Sequence, residues 1–147
     1  MTELVLFRYL HFISVFAIVG AIVAEQFLIS KTMLRSEIKR ISIVDAIYGF
    51  GAVAVLIAGI VLWFWVGKPA AFYTKNWIFH TKLTLFILLG ILSIFPTIFF
   101  MKNRRGGEPG KVIEVPRYII ILIRLELVLI IVMPLLATLM SIGVGAF

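Results

Sequence analysis

The chain has no cysteine among its 147 residues. That excludes disulfides, iron–sulfur clusters, thiolate-ligated haem and the thioether attachment of c-type haem. Charge is scarce as well. Asp, Glu, Lys and Arg make up 14% of the sequence, against roughly 25% in an ordinary soluble domain. Histidine occurs at two positions only, His11 and His80, so any imidazole chemistry falls on that pair. The sequence holds no phosphate-binding glycine loop, metalloprotease motif, nucleophile elbow or internal repeat. Apolar residues are what it has in abundance: 63% are hydrophobic, with a mean hydropathy of +1.16. So short a chain cannot hide that much apolar surface in a soluble core. It reads as an integral membrane protein.

Four apolar runs each exceed the ~20 residues needed to cross ~30 Å of hydrocarbon. They cover about residues 4–29, 43–66, 77–101 and 117–140, and predict an all-α, four-helix transmembrane bundle filling one domain over 1–147. The connections differ in charge. Residues 30–40 hold four basic side chains, the segment from 102 to Arg117 holds five, and 67–75 holds two. Basic loops stay in the cytoplasm, which predicts both termini on the non-cytoplasmic side. The net charge of +7 is accounted for by those loops and the anionic lipids they face, and no nucleic acid is implied. Trp63, Trp65, Tyr73 and Trp77 gather at the non-cytoplasmic turn, as an interfacial aromatic belt does. Pro116 suits the start of the fourth helix. The second run, with Gly49, Gly51, Ala52, Ala54, Ala58 and Gly59, is the one able to approach its neighbours closely.

Ionisable residues inside spans are costly and mark function. Here they are Arg8, His11, Glu25, Asp45, His80, Lys82, Arg124 and Glu126. His11 lies ~10 Å along the first helix and His80 ~5 Å along the third, so both occupy the non-cytoplasmic half at similar depth. Glu25 and Asp45 fall at the cytoplasmic ends of helices one and two, and Arg124 and Glu126 lie ~10–14 Å into helix four. Arg8 shares a helix face with His11, and Glu25 returns to within about 40° of it. Lys82 points about 200° away from His80. The expectation is that His80 faces the bundle, Lys82 faces outward, and Glu25 pairs with Arg124 so that neither charge is buried alone.

Two histidines at one depth on different helices can ligate something held between them. Zinc or copper wants three or four ligands, and no further soft ligand lies at that level. Haem needs one or two axial ligands in a flat apolar slot, which Phe7, Phe12, Phe16, Phe79 and Phe86 can supply. Arg8 and Lys82 are candidate counter-ions for its propionates, and Arg124 is a further cofactor-binding candidate. Non-covalent haem b bound through His11 and His80, or through one of them, is therefore the expected cofactor. Two ligands would suit electron transfer, and one would leave iron open for oxidation or gas sensing. Glu25 and Glu126 are candidates for proton handling. A bundle this thin encloses a flat macrocycle poorly, so a homo-oligomer, dimer or trimer, is expected.

The stretches "YLHFISV" and "WIFHTKLTLF" resemble the first- and third-helix motifs of the small four-helix protoporphyrinogen oxidases of the HemJ type. "LHF", Ala24–Glu25, "HTKL" and "RLELVLIIVMPLLATLM" resemble, across nearly the whole chain, an uncharacterised family of small bacterial membrane proteins. The first resemblance implies haem b, porphyrin oxidation and transfer of electrons to quinone, and the second a place in the bacterial inner membrane. The last helix lacks the Asn–Glu–Val–Pro-like motif of the HemJ type. The rival reading is a small transporter or channel subunit, without cofactor, whose Glu25, Asp45, Arg124 and Glu126 line an ion path.

Overall fold

Hydrocarbon offers no partner to backbone N–H and C=O groups, so each apolar run must bond within itself, as a helix. The computed structural model, covering residues 1–147, orders the elements as α1 (Thr2–Leu28), β1 (Thr32–Leu34), α2 (Arg35–Val61), α3 (Ala70–Thr74), α4 (Trp77–Asn103), β2 (Val112–Glu114) and α5 (Arg117–Ser141). A π-helical turn, Leu62–Val66, extends α2. The four long helices are each apolar enough to span a membrane, which is the all-α architecture expected from hydropathy.

α1 packs chiefly on α2 and α4 on α5, and contacts between α2 and α4 and between α1 and α5 close the ring. Each helix turns one narrow stripe inward. On α1 it runs Ser14, Ile18, Ala21, Ile22, Glu25; on α2, Ile38, Ile41, Ser42, Asp45, Tyr48, Gly51. On α4 it runs Ile78, Leu89, Pro96, Phe100, and on α5 Ile119, Ile123, Glu126, Ile130. Steps of three and four residues, or sums of them on α4, keep each stripe on one side of its helix. Large apolar side chains such as Phe16, Phe50, Phe95 and Ile131 are exposed on the outside, where a membrane protein meets lipid. Gly51 lets α1 and α2 close up, since a Cβ there would stand 3.1 Å from Ile18 Cγ1. Other small residues of α2, Ala46, Gly49 and Ala54, are exposed instead.

Both ends of the bundle are tied. At one end β1 and β2 pair antiparallel, with Met33 opposite Ile113. That pair points inward, 2% and 9% exposed, while its strand neighbours face out. The Arg35 guanidinium adds bonds to the Asn103 and Glu108 carbonyls, both at 3.3 Å. This ribbon end joins the two basic connections. At the terminal end, where the chain begins and finishes, Asn76 caps α4 by accepting from the Ile78 N–H at 2.9 Å. Its amide donates to the Val144 carbonyl at 3.0 Å, and the Trp77 N–H donates to the Gly145 carbonyl, also at 3.0 Å. Gly145 has φ +85° and no room for a side chain, because a Cβ would meet Ile78 Cγ1 at 2.8 Å.

One boundary differs from the hydropathy estimate. α2 begins at Arg35, eight residues before Ile43. Glu37 accepts from the Leu34 N–H at 2.7 Å and so starts the helix early. Ile38 and Ile41 then bury fully against the ribbon end.

Candidate functional site

The stripes carry two polar layers. The layer nearer the terminal end contains His11, three residues before Ser14 on the α1 stripe, and Lys82, four residues after Ile78 on the α4 stripe. Both are half-buried. The His11 ring packs on Gly59, where a Cβ would stand 3.7 Å from its Cε1. Lys82 lies within electrostatic reach of the ring, and the Val55 backbone lies near it but outside hydrogen-bond geometry. His11 Nδ1 is therefore buried without a hydrogen-bond partner. The indole Nε1 of Trp63, one turn beyond Gly59, is also buried and unpartnered, and its ring meets Phe79 at 4.7 Å.

This reverses the expected rotation of the third span. Lys82 faces the bundle beside His11, while His80 is exposed and its Nε2 lies 2.9 Å from the Thr74 carbonyl oxygen. That bond ties the short α3 turn to α4. The cause is the α4 stripe itself. Ile78 to Lys82 is one helical turn and Lys82 to Leu89 is two, so Lys82 lies in register with buried residues and His80 about 200° off. The structure therefore does not bring the two histidines to one point within a single chain. Arg8 is exposed one turn from His11.

The second layer is acidic. Glu25 of α1, Asp45 of α2 and Glu126 of α5 are buried, 1%, 5% and 2% exposed, and Tyr48 joins them at 2%. Asp45 Oδ2 accepts from the Thr97 hydroxyl of α4 at 2.7 Å, so all four long helices contribute. The charged groups acting on Glu25 are Asp45 and Glu126, and the one acting on Glu126 is Asp45; no cation is among them. Tyr48 turns its hydroxyl toward Glu126, but without close hydrogen-bond geometry, because the Tyr48 Oη and one oxygen each of Glu25 and Glu126 remain unpartnered. The carboxyls do not converge as a metal-ligand group.

Two sequence expectations are corrected here. Glu25 does not pair with Arg124, which is exposed. Arg124 lies two residues from Glu126, so it must face outward once Glu126 faces in. The α1–α5 seam is tied instead by the Gln26 amide, which donates to the Ile123 carbonyl at 2.8 Å. Nor does Asp45 sit at a helix end: the early start of α2 puts it ten residues in. Tyr48 and Thr97 went unnoticed in the sequence. Tyr48 stands one turn beyond Asp45 on the same stripe, and that spacing was the available signal.

A four-span bundle whose interior polar groups form layers, with no water-soluble part, defines an integral membrane protein. The family model described as "Predicted membrane protein (DUF2214)" matches residues 4–145. The chain belongs to that family. No curated protein and no solved structure matches it.

Proposed function

We propose that this protein is a membrane redox protein that binds haem b through His11, with the acid–tyrosine layer holding exchangeable protons. The observation that carries the haem reading is the orphaned, buried Nδ1 of the one histidine on an inward stripe, with Lys82 beside it on the facing helix. A ring nitrogen buried without a partner has lost its hydration for nothing in return, and a ligand or proton acceptor at the ring would supply what is missing. The donor set fits haem, which accepts a single axial imidazole. His11 would ligate the iron, Lys82 and Arg8 would meet the propionates, and the exposed Phe12 and Phe16 would cover an apolar face. When bound, haem supplies one-electron chemistry. The resemblance to HemJ-type protoporphyrinogen oxidases supports porphyrin oxidation coupled to quinone as the reaction. A bundle this thin cannot enclose the macrocycle, so haem would sit between copies in a dimer or trimer, with the His11 ring turned toward it. His80 is then a structural residue that ties α3 to α4.

The acid layer does separate work. Three buried carboxyls without a cation cannot all carry charge in so dry a setting. Glu25, Asp45 and Glu126 therefore share protons, and Tyr48 stands where it can pass one to Glu126. By the charge of its loops this layer lies in the cytoplasmic half of the membrane and the termini lie outside; the family resemblance makes that membrane a bacterial inner membrane. The same layer favours one rival, a proton-coupled transport subunit without cofactor. Purification from haem-replete cells, followed by extraction and mass spectrometry of the bound cofactor, separates the two. Haem in stoichiometric amount supports the redox reading. A colourless protein with full proton exchange at the acid layer overturns it in favour of transport.

A further inference from the structure

A cleft of ≈ 1010 Å³ opens at the ribbon end, between the C-terminal end of α1, the strands and the first turns of α5. It lies apart from both polar layers. Three cations line it, Lys31, Arg117 and Arg124, against one carboxylate, Glu114. Arg117 and Arg124 are seven residues apart, which puts them on one face of α5 and ~10 Å apart along its axis. Ile120 and Ile121, also lining the cleft, occupy the two intermediate positions of that face. The strip therefore reads cation, apolar, apolar, cation, from the helix start into the hydrocarbon.

Arg124 is the informative residue. It is exposed, on a helix whose outer side chains face lipid, and it lies too deep for free hydration. A guanidinium there needs an anion or a path to the interface. The acid layer does not provide the anion, because Glu126 points to the opposite side of α5 and Glu25 is sealed within the bundle. The cleft offers a route for Arg124 to reach toward Arg117 and Lys31, where a phosphate could be shared among the three. The partial positive charge at the start of α5 adds to the same field.

We propose that this cleft binds the headgroup of an anionic phospholipid, with Lys31, Arg117 and Arg124 on the phosphate and Ile120 and Ile121 against the upper acyl chain. A cation excess of two over Glu114 favours a headgroup with net negative charge over a zwitterionic one. The apolar floor between the arginines favours a lipid over free phosphate. The site is independent of the haem reading.

The test is native mass spectrometry of the detergent-purified full chain, offered phosphatidylglycerol or phosphatidylcholine with the same acyl chains. Phosphatidylglycerol is retained preferentially, and the double variant Arg117→Gln/Arg124→Gln binds it about thirtyfold more weakly, as expected for two juxtamembrane cations. Arg124→Gln alone, at an exposed side chain, weakens binding about fivefold and serves if the double variant is poorly folded. Lys39→Gln/Arg105→Gln, which removes two charges from the same end but outside the cleft, leaves retention unchanged. Equal retention of the two lipids overturns the proposal, as does equal loss in the Lys39/Arg105 control. Displacement of the lipid by inorganic phosphate at equal concentration makes it a free-phosphate site and also overturns it.

Discussion

Replacing Asn76 by alanine should loosen the terminal end measurably. The side chain is 1% exposed and makes two bonds, accepting from the Ile78 N–H at 2.9 Å and donating to the Val144 carbonyl at 3.0 Å. Loss of a helix N-cap costs about 1 kcal/mol. Losing the bond to the Val144 carbonyl adds roughly 0.5–1.5 kcal/mol. The expected destabilisation is therefore about 1.5–2.5 kcal/mol. Asn76→Ser divides the two contributions. Serine caps as well as asparagine does but is too short to reach Val144, so it should cost only the second share, about 0.5–1.5 kcal/mol. The assay is reversible unfolding in mixed micelles, followed by circular dichroism as the denaturing detergent fraction rises. If Asn76→Ala falls within about 0.5 kcal/mol of wild type, the range of an inconsequential surface change, the C-terminal segment is not docked on α4 and the reasoning fails. If alanine and serine are equally harmful, the cap contributes nothing.

Three further outcomes follow from the layers. Glu126→Gln, neutral and close in shape, should shift unfolding by less than about 1 kcal/mol and remove a protonated-carboxyl component from the infrared spectrum. A loss above about 3 kcal/mol would show instead an ionised, charge-paired Glu126. A water-soluble acylating reagent should modify His80 before His11, and an amine reagent should modify Lys75 before Lys82; the reverse order contradicts the rotation of α4. A periplasm-dependent reporter should be active when fused after Phe147 and inactive when inserted at Gly106, and the opposite pattern would turn the bundle over.

The four spans, the tie between His11 and Glu25 on one face, and the polar character of the helix interiors were legible in the sequence. Hydropathy alone marks spans, because nothing else places long apolar runs in water-free surroundings. The rotation of α4 was not legible. In a membrane the inside and the outside of a helix are both apolar, so Leu, Ile and Phe mark neither. The ligating chemistry of His80 favours an inward position, although Ile78, Lys82, Leu89 and Phe100 keep the better spacing. The expected Glu25–Arg124 pair failed for a related reason: seeking a counter-charge overrode the opposite facing of Arg124 and Glu126, which their two-residue separation already required. The ribbon was invisible because three-residue strands far apart in sequence carry almost no pattern. The docked C-terminus did leave a trace in "SIGVGAF", whose Gly143 and Gly145 both adopt positive φ.

On this proposal His11, and not a His11–His80 pair within one chain, holds the haem. The visible absorption spectrum of the purified protein, taken oxidised and reduced beside His11→Ala and His80→Ala, tests it most directly. Wild type should show a Soret band, His11→Ala should lose it, and His80→Ala should keep the position and intensity of the wild-type band. A spectrum unchanged in His11→Ala, or abolished equally by His80→Ala, contradicts the assignment.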